Sequence, residues 1–240
     1  MVQGNFITLY PSQANHAKRL LYKLLHMNAG FDTSEMGMGK TYVAMWIICE
    51  LIQRGVINNV MFLVPNEAMK TWKLLIRYLE IPSTICAHTK MDKGCKITSV
   101  NEKTLVIVDE IQVLATTNDK SCTFNAITLQ IKKVGARILG LSATPFVDFN
   151  HVYVLFNNLQ LINAPKTAKP KLAELKAFNF EEFIGQTLAK VKNVTDNVSV
   201  EELESLGLDK DFDPYAHPAY TGTIANRISV FYSIIMSVYG

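Results

Sequence analysis

The sequence predicts an α/β fold in which a mainly parallel sheet carries helices on both faces. Short and largely apolar runs at residues 60–64, 105–108 and 137–141 indicate strands that are buried on both sides. Segments in which apolar residues recur at helical spacing lie between these runs. Regular alternation of buried strands with helices is typical of a parallel sheet between two helical layers.

The first third of the chain is expected to form two helices around a loop. The first helix should have Ser12 as its N-cap, because apolar side chains recur behind it at i, i+3, i+4 and i+7. Residues 28–40 are rich in glycine and small polar side chains and favour a loop, with only a weak strand signal near Phe31. A second helix is expected from Thr41 until Gly55, a residue type that commonly ends helices.

The remaining elements extend the same alternation. We expect a helix from Asn66, a strand over residues 84–88, and helices over residues 122–133 and 148–160. Beyond them the chain becomes first lysine-rich and then acidic, which indicates a separate segment. We therefore divide the chain into a sheet domain (1–165), a charged and partly helical segment that is inserted or appended (166–225), and a short final stretch (226–240).

Composition excludes several classes of protein. With 49% hydrophobic residues the chain is too apolar to be disordered, and a net charge of +3 argues against a polybasic nucleic-acid binder. The four cysteines form no C-x-x-C pair and the five histidines show no metal-ligand spacing, which argues against zinc and redox sites. Neither a secretory signal nor a bilayer-spanning apolar stretch is present, so we expect a soluble, intracellular chain without a membrane partner.

Residues 34–41, Ser-Glu-Met-Gly-Met-Gly-Lys-Thr, have the pattern of a phosphate-binding loop. Glycines let backbone N–H groups curl round phosphate oxygens, and the helix that follows adds its positive N-terminal end. Lys40 can reach the β- and γ-phosphates of a nucleotide, and the Thr41 hydroxyl can ligate Mg²⁺. Ser34 stands where the strict pattern has its first glycine. The alternative is a Gly-rich turn before a helix with a solvent-facing lysine.

Two carboxylates follow the apolar run at residues 105–108, at the end of a strand where α/β sheets bind ligands. Asp109 would hold Mg²⁺, mostly through water, and Glu110 would orient or deprotonate an attacking water. Taken alone, the pair could also be two solvated acids that end a strand. After the next strand come Ser142, Ala143 and Thr144. The small hydroxyl side chains of Ser142 and Thr144 could bond the acidic motif and report on the γ-phosphate.

In this order the three motifs resemble those of superfamily-2 helicases and nucleic-acid translocases, over residues 9–150. Residues 35–41 differ at one position from the EMGLGKT common in Swi/Snf-type ATPases. The resemblance implies a RecA-like domain with ATP and Mg²⁺ as cofactors, and a Q motif at residues 9–13 in which Gln13 reads the adenine. It also implies a set of loop residues that bind the nucleotide: Gly37, Met38, Gly39, Lys40, Thr41 and Tyr42.

The resemblance also implies contacts with a nucleic-acid backbone. Pro65, Asn66 and Thr71 lie in the stretch similar to motif Ia of these ATPases, and Thr98 and Ser99 in the stretch similar to motif Ib. Trp72, in the same helix, could stack a base, but its place in the apolar stripe favours the core.

The acidic motif ends in Gln112 instead of the usual Asp or His. We count Gln112 with Lys40, Asp109 and Glu110 as catalytic. The substitution leaves open whether this fourth position bonds Ser142 or Thr144.

Residues 226–232 resemble the stretch where transcription ATPases of large DNA viruses enter their second half. The resemblance implies that residues 226–240 begin the linker to a second RecA-like domain, which would supply an arginine finger and which the remaining residues cannot form. The favoured hypothesis is therefore an ATP-dependent motor that acts on double-stranded DNA and is weakly active as this chain. Its expected partner is the viral transcription machinery, and its expected location is the cytoplasm, virion or nucleus. The alternatives are a nucleotide-gated nucleic-acid-binding or assembly subunit and an RNA helicase.

Overall fold

In a computed structural model of the chain, the residues that can be described are 7–79, 81–90, 99–114 and 119–144. The helix predicted over residues 148–160 lies outside these ranges, as do the charged segment 166–225 and the final stretch 226–240. All structural statements below concern the described ranges.

Strands and helices alternate along the described chain, as the apolar runs predict, except that no α-helix is described between the third and fourth strands. Two 3₁₀ turns, His88–Lys90 and Ile111–Leu114, follow the third and fourth strands. The elements in chain order are α1 (Pro11–Met27), β1 (Ala29–Asp32), α2 (Lys40–Gln53), β2 (Asn59–Val64), α3 (Met69–Ile76), β3 (Ser83–Ala87), β4 (Thr104–Asp109), α4 (Asp119–Val134) and β5 (Arg137–Leu141).

The five described strands form one parallel sheet in the order β1-β5-β4-β2-β3. The register places Leu141, the last residue of β5, between Asp32 of β1 and Asp109 of β4. Because neighbouring strands lie about 4.8 Å apart, the backbones of these two aspartates are separated by roughly 10 Å. The carboxyl ends of β1, β5 and β4 thus form a single edge that carries two acidic residues.

Both faces of the sheet are buried, which explains why its central strands, β5, β4 and β2, are apolar except at their ends. One face packs on α1, α2 and α3 through a core that includes Leu20, Ile48 and Trp72. Strand residues whose side chains point to the other face of the sheet, such as Met61 and Val106, are buried to the same extent. The predicted α/β architecture of a parallel sheet with helices is confirmed.

Several element boundaries differ from the prediction. The helix predicted over residues 122–133 covers Asp119–Val134, the helix predicted from Thr41 covers Lys40–Gln53, and the strand predicted over residues 84–88 covers Ser83–Ala87. Helix α1 begins at Pro11 and not after Ser12: proline suits the first helical position, and the Gln13 side chain caps the turn by accepting a hydrogen bond from the Tyr10 N–H at 3.0 Å. Asn66 opens a turn, and the helix itself begins at Met69. The weak strand signal near Phe31 corresponds to a real strand, β1, because pairing with β5 supplies its backbone partners.

Among the described residues, no helix combines the length and the apolar character that crossing a bilayer requires.

Gly140 lies in β5 where a side chain would collide with its surroundings. A Cβ atom there would lie 2.8 Å from Ile111 Cδ1 and 3.0 Å from Phe31 Cδ1. We expect Gly140→Ala to lower the free energy of unfolding by about 1–3 kcal/mol, the usual cost of overpacking, as measured by chemical denaturation. Gly30→Ala is the matched control, because its Cβ would meet nothing closer than 3.5 Å. Equal stability of the two variants would contradict this explanation.

Candidate nucleotide site

The loop between β1 and α2 curves round the N-terminus of a helix. Gly37 and Gly39 adopt φ angles of +80° and +83°, a left-handed conformation that side-chain-bearing residues rarely adopt. Gly39 is the N-cap of α2. Free N–H groups at the start of a helix, together with its dipole, favour an anion at this position.

The Lys40 ammonium group lies inside the curve of this loop. Its Nζ atom donates hydrogen bonds to the backbone carbonyls of Ser34, at 2.6 Å, and Glu35, at 3.0 Å. Both acceptors are neutral backbone carbonyls. Neither contact therefore neutralises the positive charge that Lys40 places within the loop. Thr41 follows directly in the first turn of α2 and is half-buried.

A buried carboxylate supports the loop from below, and sequence reasoning missed it. Asp32 is fully buried and accepts hydrogen bonds from the Ser34 N–H at 3.0 Å and the Ser34 hydroxyl at 2.5 Å. His16 Nε2 of α1 lies 3.1 Å from the same oxygen. Burial opposes ionisation, but the hydrogen bonds and the histidine charge outweigh it, so the pKa of Asp32 lies below its usual range. The only signal in the sequence was an aspartate directly after Phe31, where the strand signal is weak.

Gln13 connects α1 to the phosphate loop. Its Nε2 atom donates to the Met38 carbonyl at 2.8 Å, while its Oε1 atom accepts the Tyr10 N–H. An amide side chain retains one further donor and one acceptor lone pair for a base edge. Tyr10 is 75% exposed and Tyr42, on the first turn of α2, is 54% exposed. The residues predicted to bind adenine and the loop residues therefore lie together.

Gly39 has no room for a side chain because Gln13 occupies the space. A Cβ atom there would lie 2.6 Å from Gln13 Nε2, whereas one on Gly37 would meet nothing within 4 Å. Both glycines are left-handed, so alanine at either position costs about 1–2 kcal/mol of backbone strain. We expect Gly39→Ala to cost an additional ~0.5–1.5 kcal/mol, since it displaces the Gln13 hydrogen bond.

Chemical denaturation of both glycine variants, each with and without Gln13→Ala, measures this difference. In the Gln13→Ala background the two glycine variants should be equally destabilised. A difference that persists there would show that Gln13 is not its cause.

Asp109 and Glu110 lie at the carboxyl end of β4, on the edge that also bears the phosphate loop. Asp109 is half-buried and accepts a hydrogen bond from the Trp72 indole N–H at 2.8 Å. Burial raises the pKa of Asp109 above its usual range, and the Glu110 charge adds to this; the Trp72 hydrogen bond and the positive charge of Lys40 act in the opposite direction. The phosphate-loop lysine and the acidic motif are thus close enough to interact.

Glu110 has a strained backbone. Its φ angle is +51°, one of two positive values among non-glycine residues in the described ranges. Residues held in such conformations cluster at functional sites. Gln112 donates a hydrogen bond to Glu110 Oε2 at 2.5 Å, so the fourth residue of the acidic motif orients the second.

The Ser142–Thr144 segment joins the site through the backbone. The Ser142 N–H donates to the Asp32 carbonyl at 3.0 Å, and the Ser142 hydroxyl accepts the Thr144 N–H at 3.0 Å. The Gln112 side chain, for which the sequence left open a bond to Ser142 or Thr144, donates its hydrogen bond to Glu110. Ala143 is half-buried between the two hydroxyl residues.

The residues predicted to contact nucleic acid are only partly brought together. Pro65 and Asn66 follow β2, at the edge of the sheet formed by the carboxyl ends of the strands. The Thr89 hydroxyl donates a hydrogen bond to Asn66 Oδ1 at 3.0 Å. Thr71 is exposed on α3. Ser99 instead lines a groove beside Asn59, at the amino end of β2. The two ends of β2 lie roughly 16 Å apart, so Ser99 and Asn66 lie at opposite edges of the sheet. Thr98 lies outside the described residues.

Oxygen donors at this edge suit Mg²⁺. A carboxylate (Asp109) and a hydroxyl (Thr41) are ligand types that Mg²⁺ prefers, and Mg²⁺ usually takes only one or two protein carboxylates beside phosphates and water. Among the described residues, no group of three or more His, Cys, Asp or Glu side chains is placed to hold a metal ion. A nearby cation would also favour the charged form of Asp109.

A glycine-bent loop at a helix N-terminus, next to a strand that ends in two acids, has the pattern of a P-loop. The chain is similar to the SWI2/SNF2 ATPase core of Sulfolobus solfataricus, solved in complex with double-stranded DNA, with a TM-score of 0.55 and 12% identity. The match covers 71% of this chain and 38% of the other, so this chain spans well under half of that protein. No protein-family model and no curated protein matches the chain. The structural likeness establishes the RecA-like fold.

Proposed function

We propose that the chain is the ATP-binding part of a nucleic-acid-dependent ATPase of the helicase or translocase type. The observation that carries the proposal is the shared edge of the sheet. Lys40 lies within the phosphate loop, and its charge acts on Asp109 at the end of β4. A cationic loop opposite a carboxylate is the arrangement that ATP–Mg²⁺ requires, with phosphates on one side and metal on the other.

Each residue has a distinct role in this proposal. Lys40 would bind the β- and γ-phosphates, and Thr41 and Asp109 would hold Mg²⁺, which when bound neutralises charge on the phosphates. Glu110 would orient the attacking water or accept its proton. Gln112 would keep the Glu110 carboxylate in place through their hydrogen bond.

Duplex DNA is the substrate we favour. The structural neighbour is described in complex with double-stranded DNA, and Asn66 lies at the same edge of the sheet as the phosphate loop.

We further propose a role in viral transcription, because residues 226–232 resemble a stretch of viral transcription ATPases. We also propose that this chain alone turns ATP over slowly. Turnover should be slow because motors of this type close a second RecA-like domain over the nucleotide.

A second candidate is a nucleotide-gated binding or assembly subunit without motor activity. The hydrogen bond from Gln112 favours it to the extent that it withdraws one Glu110 oxygen from an attacking water, while the other oxygen keeps its acceptor sites. Such a subunit would bind ATP, and its affinity for nucleic acid would change, without appreciable hydrolysis.

The test is ATP binding and hydrolysis by the chain with Mg²⁺, alone and with duplex DNA, single-stranded DNA or duplex RNA. A motor on DNA should show hydrolysis that duplex DNA raises most. Nucleotide-dependent DNA binding without hydrolysis would favour the subunit, and stimulation by RNA alone would favour an RNA enzyme. Failure to bind ATP–Mg²⁺ at all would overturn the proposal.

A further inference from the structure

Trp72 has a polar contact that a purely structural core residue would not need. Its side chain is fully buried, and its ring lies against Phe62 with the ring centroids 5.1 Å apart. The indole N–H nevertheless points at a functional group, since it donates to Asp109 Oδ2 at 2.8 Å across 37 residues of chain. An indole N–H can only donate, and a buried donor needs a partner. Here that partner is the carboxylate assigned to Mg²⁺.

The contact leaves the carboxylate able to serve a metal. Two carboxylate oxygens together offer about four acceptor sites, and the indole N–H uses one of them. A hydrogen bond to one oxygen restricts rotation of the side chain and so fixes where the remaining acceptors lie. Groups that orient metal-binding residues in this way typically account for 10–100-fold in metal affinity or activity.

Helix α3 brings the donor to Asp109 from a second functional region. The helix follows Pro65 and Asn66, the residues placed at the edge proposed to face nucleic acid. Trp72 of this helix is buried, while Lys70, Lys73 and the C-cap residue Arg77 are exposed. A shift of this helix would therefore move the donor of the hydrogen bond that orients Asp109.

We propose that Trp72 is a positioning residue that ties helix α3 to Asp109, so that Mg²⁺ binding at the nucleotide site depends on the indole–carboxylate hydrogen bond. This inference rests on the proposed function, because it assumes that Asp109 holds the metal. It predicts that loss of the N–H alone weakens Mg²⁺ binding at the site without abolishing nucleotide binding itself.

The test uses Trp72→Phe, which keeps an aromatic ring and removes the N–H. Binding of a fluorescent ATP analogue is titrated with Mg²⁺ in the wild-type chain and in the variant. We expect the Mg²⁺ concentration at half-saturation to rise about 10–100-fold, with nucleotide affinity at saturating Mg²⁺ changed less than about threefold. Phe62→Leu is the matched control, because it disturbs the packing under Trp72 but keeps the N–H.

A spectroscopic measurement tests the contact directly. The chain has two tryptophans, so Trp46→Phe leaves Trp72 as the single emitter. Emission of Trp72 should change on addition of ATP with Mg²⁺, at the Mg²⁺ concentration that drives nucleotide binding. The change should be absent with ATP alone and in Asp109→Asn.

The outcomes separate this inference from the proposed function. If the wild-type chain binds ATP–Mg²⁺ but Trp72→Phe and Phe62→Leu show the same Mg²⁺ dependence, the positioning role is wrong and the proposed function stands. An unchanged Trp72 emission on Mg²⁺–ATP binding would also overturn it. If the folded wild-type chain binds no ATP–Mg²⁺, both proposals fail.

Discussion

Replacing Glu110 by glutamine is expected to lower the rate of ATP hydrolysis by about 10²–10⁴-fold, the usual contribution of a general base. Glutamine matches the shape of glutamate and can adopt the same backbone, but it cannot accept the proton of the attacking water. Binding of ATP–Mg²⁺ should change little, because in this account Glu110 contacts water and not phosphate. The variant should therefore retain ATP without converting it.

Single-turnover hydrolysis, with duplex DNA present, is the appropriate measurement because turnover by this chain should be slow. Glu102→Gln, an exposed glutamate before β4, is the control and should leave the rate unchanged. Equal rates for Glu110→Gln and the wild-type chain would show that hydrolysis, if present, uses another base.

Replacing Lys40 by alanine is expected to weaken ATP–Mg²⁺ binding by about 10–100-fold, which corresponds to the ~1.5–3 kcal/mol of a hydrogen bond to a charged group. The ammonium group now bonds two carbonyls of the loop, Ser34 and Glu35, and phosphate oxygens would replace these weaker acceptors. Loss of the side chain removes the positive charge within the loop.

Calorimetric titration with a nonhydrolysable ATP analogue measures the effect. Lys18→Ala on the exposed side of α1 removes the same charge elsewhere and should leave the affinity within about twofold. If both variants lose affinity equally, net charge matters and the position of Lys40 does not; if neither loses affinity, Lys40 does not bind the phosphates.

The buried strands could be predicted from the sequence because their apolar runs are uninterrupted. The boundaries predicted for β5 match the structure, and those for β2 and β4 differ by one residue at one end or at both ends. Strand β1 could only be predicted weakly. It has four residues and ends in Asp32, whose burial depends on His16 of α1. The residues around Asp32 in the sequence do not show that His16 lies beside it, because the tertiary fold brings the two together.

Some features of the candidate site could likewise be predicted from the sequence, and others could not. The phosphate loop and the acidic pair could be located from spacing alone, because their residues are adjacent in sequence. Trp72 could be predicted as a core residue but not as a hydrogen-bond donor to Asp109, since that contact depends on how α3 packs on the sheet. The position of Ser99 at the amino edge could not be predicted either, because motif order does not say at which edge a loop lies.

The most direct test of the central claim is a crystal structure of the chain with a nonhydrolysable ATP analogue and Mg²⁺. The account predicts the triphosphate within the loop of residues 34–41, hydrogen-bonded to Lys40, with the metal between the phosphates and Asp109. A nucleotide bound elsewhere, or a metal held without Asp109 and Thr41, would contradict it.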